Sequence, residues 1–152
     1  MKKAPAVKQG AAVAGTPIFP QRTNTVTAEV LARLLRGETL TALDSVFNSS
    51  TTRLGAFVFS LSGYGWEIES EPFAAGCKDG RVSWPHKYYL RAEVIAKAGA
   101  GAGAWCAQVF KDRRELRRKA AQAEREAARL NAMRRASRVH PGQLGLDLGG
   151  AA

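Results

Sequence analysis

The chain has 152 residues, with 23 lysines and arginines against 13 acidic residues, a formal net charge of +10 and a sequence pI near 10.2. That length leaves room for one modest core, and the positive excess favours a polyanionic partner such as DNA, RNA or an anionic surface. Nothing in the sequence gathers the nucleophiles, carboxylates or ligands of a catalytic centre. Cys77, Cys106, His86 and His140 lack metal-site spacing, and no apolar run reaches the length of a membrane span. The expectation is a cytoplasmic binding protein, not an enzyme, with no cofactor, metal or disulfide and no membrane partner.

Residues 1–22 mix Pro, Gly, Ala and Lys without periodicity and carry four bases and no acid. Gly10, Gly15, Pro17 and Pro20 interrupt the apolar residues, which reads as a disordered basic arm and not as a signal peptide. From Thr25 an apolar stripe of Val26, Val30, Leu31, Leu34 and Leu35 predicts a first helix, with Gly37 as its stop. LTALDSVFN then predicts a helix of about two turns, capped by Thr39 or Thr41, whose apolar face is formed by Leu40 and residues 43 to 47. After the polar break at Asn48, Ser49 and Ser50, a third helix places Leu54, Phe57, Val58 and Leu61 toward the core and ends near Gly63.

WEIES and RVSWPHKYYL predict two strands of a hairpin, joined by a long connection over roughly 71–80, with Pro85 marking an edge or bulge. Trp66, Trp84, Tyr88 and Tyr89 are expected to pack this sheet against the helices. Residues 98–103 form a Gly/Ala linker, 104–138 a long, mostly exposed basic helix, and 139–152 a flexible tail. Charge is distributed unevenly among these segments. Residues 23–97 hold eight bases and eight acids, whereas 98–140 hold eleven bases and four acids, so the surplus lies on the flanks, where it can follow phosphates without reading sequence.

Helix, short helix, turn, helix, hairpin is the order of a winged helix-turn-helix, so the expected fold is α+β, mainly helical, with that domain spanning 23–97. In such a domain the third helix docks in the major groove of double-stranded DNA. Ser50, Thr51 and Thr52 at its start are candidate phosphate contacts, or N-cap residues only. Arg53 is the candidate for a bidentate guanine or phosphate contact, with Ala56 and Ser60 small enough for close approach. Phe59 projects outward by helical count, toward thymine methyl groups or a partner, unless the hairpin or the C-terminal helix covers it. Lys78, Arg81, His86 and Lys87 are candidate wing contacts, offset by Glu67, Glu69 and Glu71.

The run from TAEVLARLLRG through LTALDSV and TTRLGAFVFSLSGYGWEIES to RVSWPHKYYL resembles small helix-turn-helix proteins common in phages and prophages. The likeness covers about half the chain and rests on LTALDSV, the Arg53-Leu54 pair and the Gly65-Trp66 step before a strand with Ile68. It implies a transcriptional regulator or DNA-metabolism accessory factor associated with the nucleoid. Relatives of this kind usually carry more charge on helix three, where this chain has Phe57, Phe59 and Ser60. An uncharged, exposed helix three favours the alternative, a protein-interaction module.

Arg113, Arg114, Arg117 and Arg118 open the basic stretch of the C-terminal helix and are candidate phosphate contacts. Val109, Leu116, Ala123 and Leu130 recur every seven residues beside Ala120 and Ala127, a weak seam through which a homodimer is the alternative use of this helix; a third is simple solvation. In the tail, Gln143, Leu144, Leu146 and Leu148 resemble the short peptide by which bacterial replication and repair proteins bind the sliding clamp, which implies that clamp as a partner.

Overall fold

The computed structural model describes residues 15–138, and in them an α+β protein of six helices and two small antiparallel sheets. Its compact units divide between Arg114 and Glu115.

In the first unit, α1 (Val26–Leu35) is the central element. The Thr25 hydroxyl caps it by accepting the Ala28 N–H at 3.2 Å. Its C-terminus closes as a Schellman motif, with Gly37 at φ +81 and the Glu38 N–H donating to the Arg33 carbonyl at 3.1 Å. Ala28, Val30, Leu31, Ala32, Leu34 and Leu35 are all buried, and each large aliphatic contributes about 1.5–3 kcal/mol of transfer free energy.

β1 (Leu40–Thr41) leads directly into α2 (Ala42–Ser49), where Thr41 and Asp44 form a capping box. α3 (Leu54–Gly63) buries Leu54, Val58 and Leu61 and packs Phe57 partly against the same core, as its periodicity predicts. Its end explains the Gly65-Trp66 step. Gly65, at φ +89, is the left-handed terminator, the Trp66 N–H donates to the Leu61 carbonyl at 3.2 Å, and a Cβ at Gly65 would stand 3.5 Å from the backbone of Pro17. Trp66 then enters the core at 2% exposure.

β2 (Ile68–Pro72) and β5 (His86–Leu90) pair antiparallel from Ile68 opposite Leu90 to Pro72 opposite His86. β1 joins on the other side of β5, giving the order β1-β5-β2. The long connection is structured: β3 (Ala75–Gly76) and β4 (Val82–Ser83) form a second, two-stranded sheet. Pro85 falls in the interruption between β4 and β5, in agreement with its missing N–H.

Three expectations change. Residues 15–22 are not a disordered arm: the Ile18 N–H donates to the Tyr64 carbonyl and the Trp66 indole N–H to the Ile18 carbonyl, each at 2.9 Å. Phe19 packs against Trp66 and Trp105 with ring centroids 5.1 and 4.9 Å away. Residues 98–103 are not simply a linker, because α4 (Ala92–Lys97) precedes them and α5 (Gly101–Arg117) begins within them, after a turn at Gly99. Nor is the C-terminal helix exposed from its start. Cys106 and Val109 are buried in the common core, with Trp105 and Phe110 partly buried against it. Burial raises the pKa of the Cys106 thiol, which points at the Ala32 carbonyl.

In the second unit, α6 (Ala120–Arg138) follows a turn at Arg118 and Lys119 and buries none of its residues. The predicted single helix is thus two, although no Gly or Pro marks the break. The predicted dimer seam loses Val109, which belongs to the core of the first unit. No described helix is long and apolar enough to cross a membrane.

Candidate nucleic-acid interface

The predicted docking helix is α3, and Arg53 stands at its N-cap, exposed and without an ion-pair partner among the described residues. Thr52 beside it is exposed. Thr51 is buried, and its hydroxyl accepts the Arg53 N–H at 3.0 Å, so it sets the backbone at the helix entry and does not face a phosphate. Ser50 belongs to the preceding helix as its C-cap, held at φ 55 with its N–H on the Ser45 carbonyl. Along α3, Ala56, Phe59 and Ser60 are exposed, with Phe59 at 82% and the Ser60 hydroxyl donating to the Ala56 carbonyl at 3.0 Å. No other element of the first unit covers Phe59, and beyond Arg53 the outward face of α3 carries no charge.

The apolar face read around α2 divides, with Leu40 buried and the rest of its apolar residues turned outward. Ser45 and Ser49 are buried, whereas Leu43 and Phe47 are 67% and 79% exposed and Val46 joins them on the outer face. The Ser45 hydroxyl donates to the Thr41 carbonyl at 2.9 Å, so its burial leaves no unmade bond, whereas the buried Ser49 hydroxyl has no hydrogen-bond partner among the described residues. The result is an apolar i, i+3, i+4 triplet in water. Because that triplet contributes nothing to the core, Phe47→Glu is expected to change the unfolding free energy by less than ~0.5 kcal/mol. Leu34→Ala should cost about 2–5 kcal/mol. Urea denaturation of both variants checks this, and a loss of several kcal/mol for Phe47→Glu would place α2's apolar face in the core after all.

The segment predicted as a wing is the ribbon of β2 and β5 with its β3–β4 tip. Near its base the charges cancel: Lys87 meets Glu71 at 3.2 Å, and Arg91 meets Glu69 and Glu67 at 3.2 and 3.4 Å. The His86 ring nitrogen Nδ1 lies 2.8 Å from the Ser70 hydroxyl. At the tip Arg81 binds Asp79 through Nε at 2.7 Å and holds its carboxyl below the usual pKa, while Lys78 has no ion-pair partner among the described residues. Of the predicted wing cations Lys78, Arg81 and Lys87, only Lys78 has no carboxylate partner among the described residues, while Arg81 and Lys87 are engaged locally. Trp84, expected in the sheet packing, is instead 66% exposed, while Tyr88 packs against the core.

Arg113 also departs from its predicted role. Its Nε donates to Glu29 Oε2 at 2.6 Å, and its other nitrogens reach the carbonyls of Asn24 and Ser49 at 3.4 Å. Glu29 is fully buried in α1 and is also held by Arg33 at 3.1 Å, which binds Glu38 as well. This cluster joins α1, the end of α2 and α5, with cations at the C-terminal carbonyls of α2 where they are favoured. A guanidinium 12% exposed and so engaged does not grip phosphate. No sequence signal separates Arg113 from Arg114, which is exposed.

From Arg114 onward the picture is the opposite. Arg117, Arg118, Lys119, Arg125, Arg129, Arg134, Arg135 and Arg138 are exposed, against only Glu115, Glu124 and Glu126 in residues 115–138. Arg129 meets Glu126 at 2.8 Å; Arg114, Arg118, Lys119, Arg125, Arg134, Arg135 and Arg138 have no acidic partner among the described residues. The peptide of Gln143, Leu144, Leu146 and Leu148 lies outside the described residues. Among the described residues no group of three His, Cys, Asp or Glu side chains could hold a metal ion. No protein-family model matches the chain, and no curated protein matches it.

Proposed function

We propose that this protein binds double-stranded DNA, held mainly by phosphate contacts from α6 and the end of α5, with a winged-helix-like domain adding a weak sequence preference. The observation that carries the reading is the separation of charge. The first unit ties Arg33, Arg81, Lys87, Arg91 and Arg113 to its own carboxylates, while Arg118, Lys119, Arg125, Arg134, Arg135 and Arg138 are exposed with no acidic partner among the described residues. Concentrated exposed cations release counterions from DNA without reading its bases. The element order α1, β1, α2, α3, ribbon, with β1 on β5, supports the winged helix-turn-helix reading and, with the resemblance to phage proteins, a regulator or accessory factor without catalytic activity.

Selection from a random duplex library at two salt concentrations tests this. The expected outcome is salt-sensitive retention with a short enriched motif. Arg53→Ala should lower affinity for the selected sequence about tenfold, by loss of one bidentate contact, and should scarcely affect unrelated duplexes. Retention that does not depend on salt would defeat the proposal.

The exposed triplet of Leu43, Val46 and Phe47 favours a second reading, in which the domain is an interaction platform and the Gln143 peptide captures the sliding clamp. That reading predicts partner binding that survives neutralisation of α6.

A further inference from the structure

The wing holds an aromatic side chain that the packing does not use. Of the three tryptophans, Trp66 is in the core and Trp105 packs against Phe19, but Trp84 is 66% exposed and has no aromatic partner among the described residues. Its backbone is fixed on both sides. Ser83 pairs with Ala75, the Phe73 N–H donates to the Pro85 carbonyl at 3.0 Å, and His86 pairs with Pro72. Val82, two residues earlier in β4, is 65% exposed. Beyond them the ribbon closes tightly, with the Cys77 N–H on the Arg81 carbonyl at 2.8 Å and Gly80 at φ +81. That turn carries Lys78 and Arg81, and Asp79 is matched by Arg81.

An isolated exposed apolar residue is ordinary on a protein surface. An indole held on an ordered ribbon whose closing turn carries Lys78, unpaired among the described residues, in a chain of net charge +10, is matched by a more specific chemistry. An exposed π face on a ribbon that ends in this cation fits an unpaired nucleobase and a phosphate further along its strand, since every base stacks on an aromatic ring and a cation can hold the backbone. Within an intact duplex the bases are stacked on one another and present no such face.

Building on the DNA-binding reading, we propose that Trp84 stacks on an unpaired base, so that the wing tip directs the protein to DNA with a gap, fork or other single-stranded interruption. The test uses the full chain and two duplexes of equal length and sequence, one intact and one with a short single-stranded gap. Wild type should bind the gapped duplex about tenfold more tightly, the effect of stacking one base. Trp84→Leu should bring the ratio of the two Kd values close to one, and Trp84→Phe should retain part of it. Tryptophan emission should be quenched by the gapped duplex in wild type but not in Trp84→Leu. Equal affinities in wild type, or a preference that survives in Trp84→Leu, would overturn the inference while leaving DNA binding intact. Binding to neither duplex would instead remove the reading on which it rests.

Discussion

Arg113→Ala is expected to lower the unfolding free energy by about 3 kcal/mol, whereas Arg114→Ala, the same change one residue later, should alter it by less than ~0.5 kcal/mol. The difference lies in Glu29, which is fully buried and receives Arg113 Nε at 2.6 Å. Removing that guanidinium takes the 2.6 Å ion pair from the buried carboxylate, which still meets Arg33, and it also strips the carbonyls of Asn24 and Ser49 of a donor. For a unit of this size the loss corresponds to a fall in Tm of roughly 12–24 °C. Thermal unfolding by circular dichroism measures it directly, and equal Tm values for the two variants would show that the cluster contributes nothing to stability. A conservative Arg113→Lys should still be destabilising, because a point ammonium cannot span Glu29 and two carbonyls as the planar guanidinium does.

Changing Arg118, Lys119, Arg125, Arg134, Arg135 and Arg138 together to Gln should leave the fold intact and weaken DNA binding on the order of 10²- to 10³-fold at 0.1 M salt. Gln keeps comparable helix propensity, and α6 buries none of its residues, so Tm should stay within a few degrees of wild type. A helix offers about half its side chains to a duplex, so some three or four of the six would meet phosphates. At about 0.9 per contact, the slope of log K against log salt should then become shallower by about three. Competition anisotropy over a salt series reads both quantities. An unchanged slope would assign the grip to other residues.

Where structure followed local pattern, the sequence was informative. The stripe of α1, its Thr25 cap and Gly37 stop, and the buried Leu54, Val58 and Leu61 of α3 are short-range features whose period records the face turned inward. α2 breaks that rule. Leu43, Val46 and Phe47 read as part of one apolar face with Leu40, and only the tertiary setting, in which Ser45 and Ser49 are buried instead, turns them outward. β1 is two residues long, too short for any period, and exists because Leu40 and Thr41 find Tyr88 and Lys87.

Phe19 and Trp105 are far apart in sequence, so the contact that orders residues 15–22 has no local signature beyond an apolar PIFP in polar surroundings. The candidate interface was legible as charge and illegible as geometry. Composition placed the surplus bases in the C-terminal region, but Arg113 and Arg114 differ only in whether the helix face aims them at Glu29. Trp84 likewise shares its residue type with Trp66, and burial alone separates a core residue from a surface one.

The most direct test of the account is titration of the full chain with a random-sequence duplex across 50–200 mM salt. The charge separation predicts saturable binding with a log–log slope of about −3 or steeper. Absence of saturable binding at 50 mM salt, or affinity indifferent to salt, would contradict it.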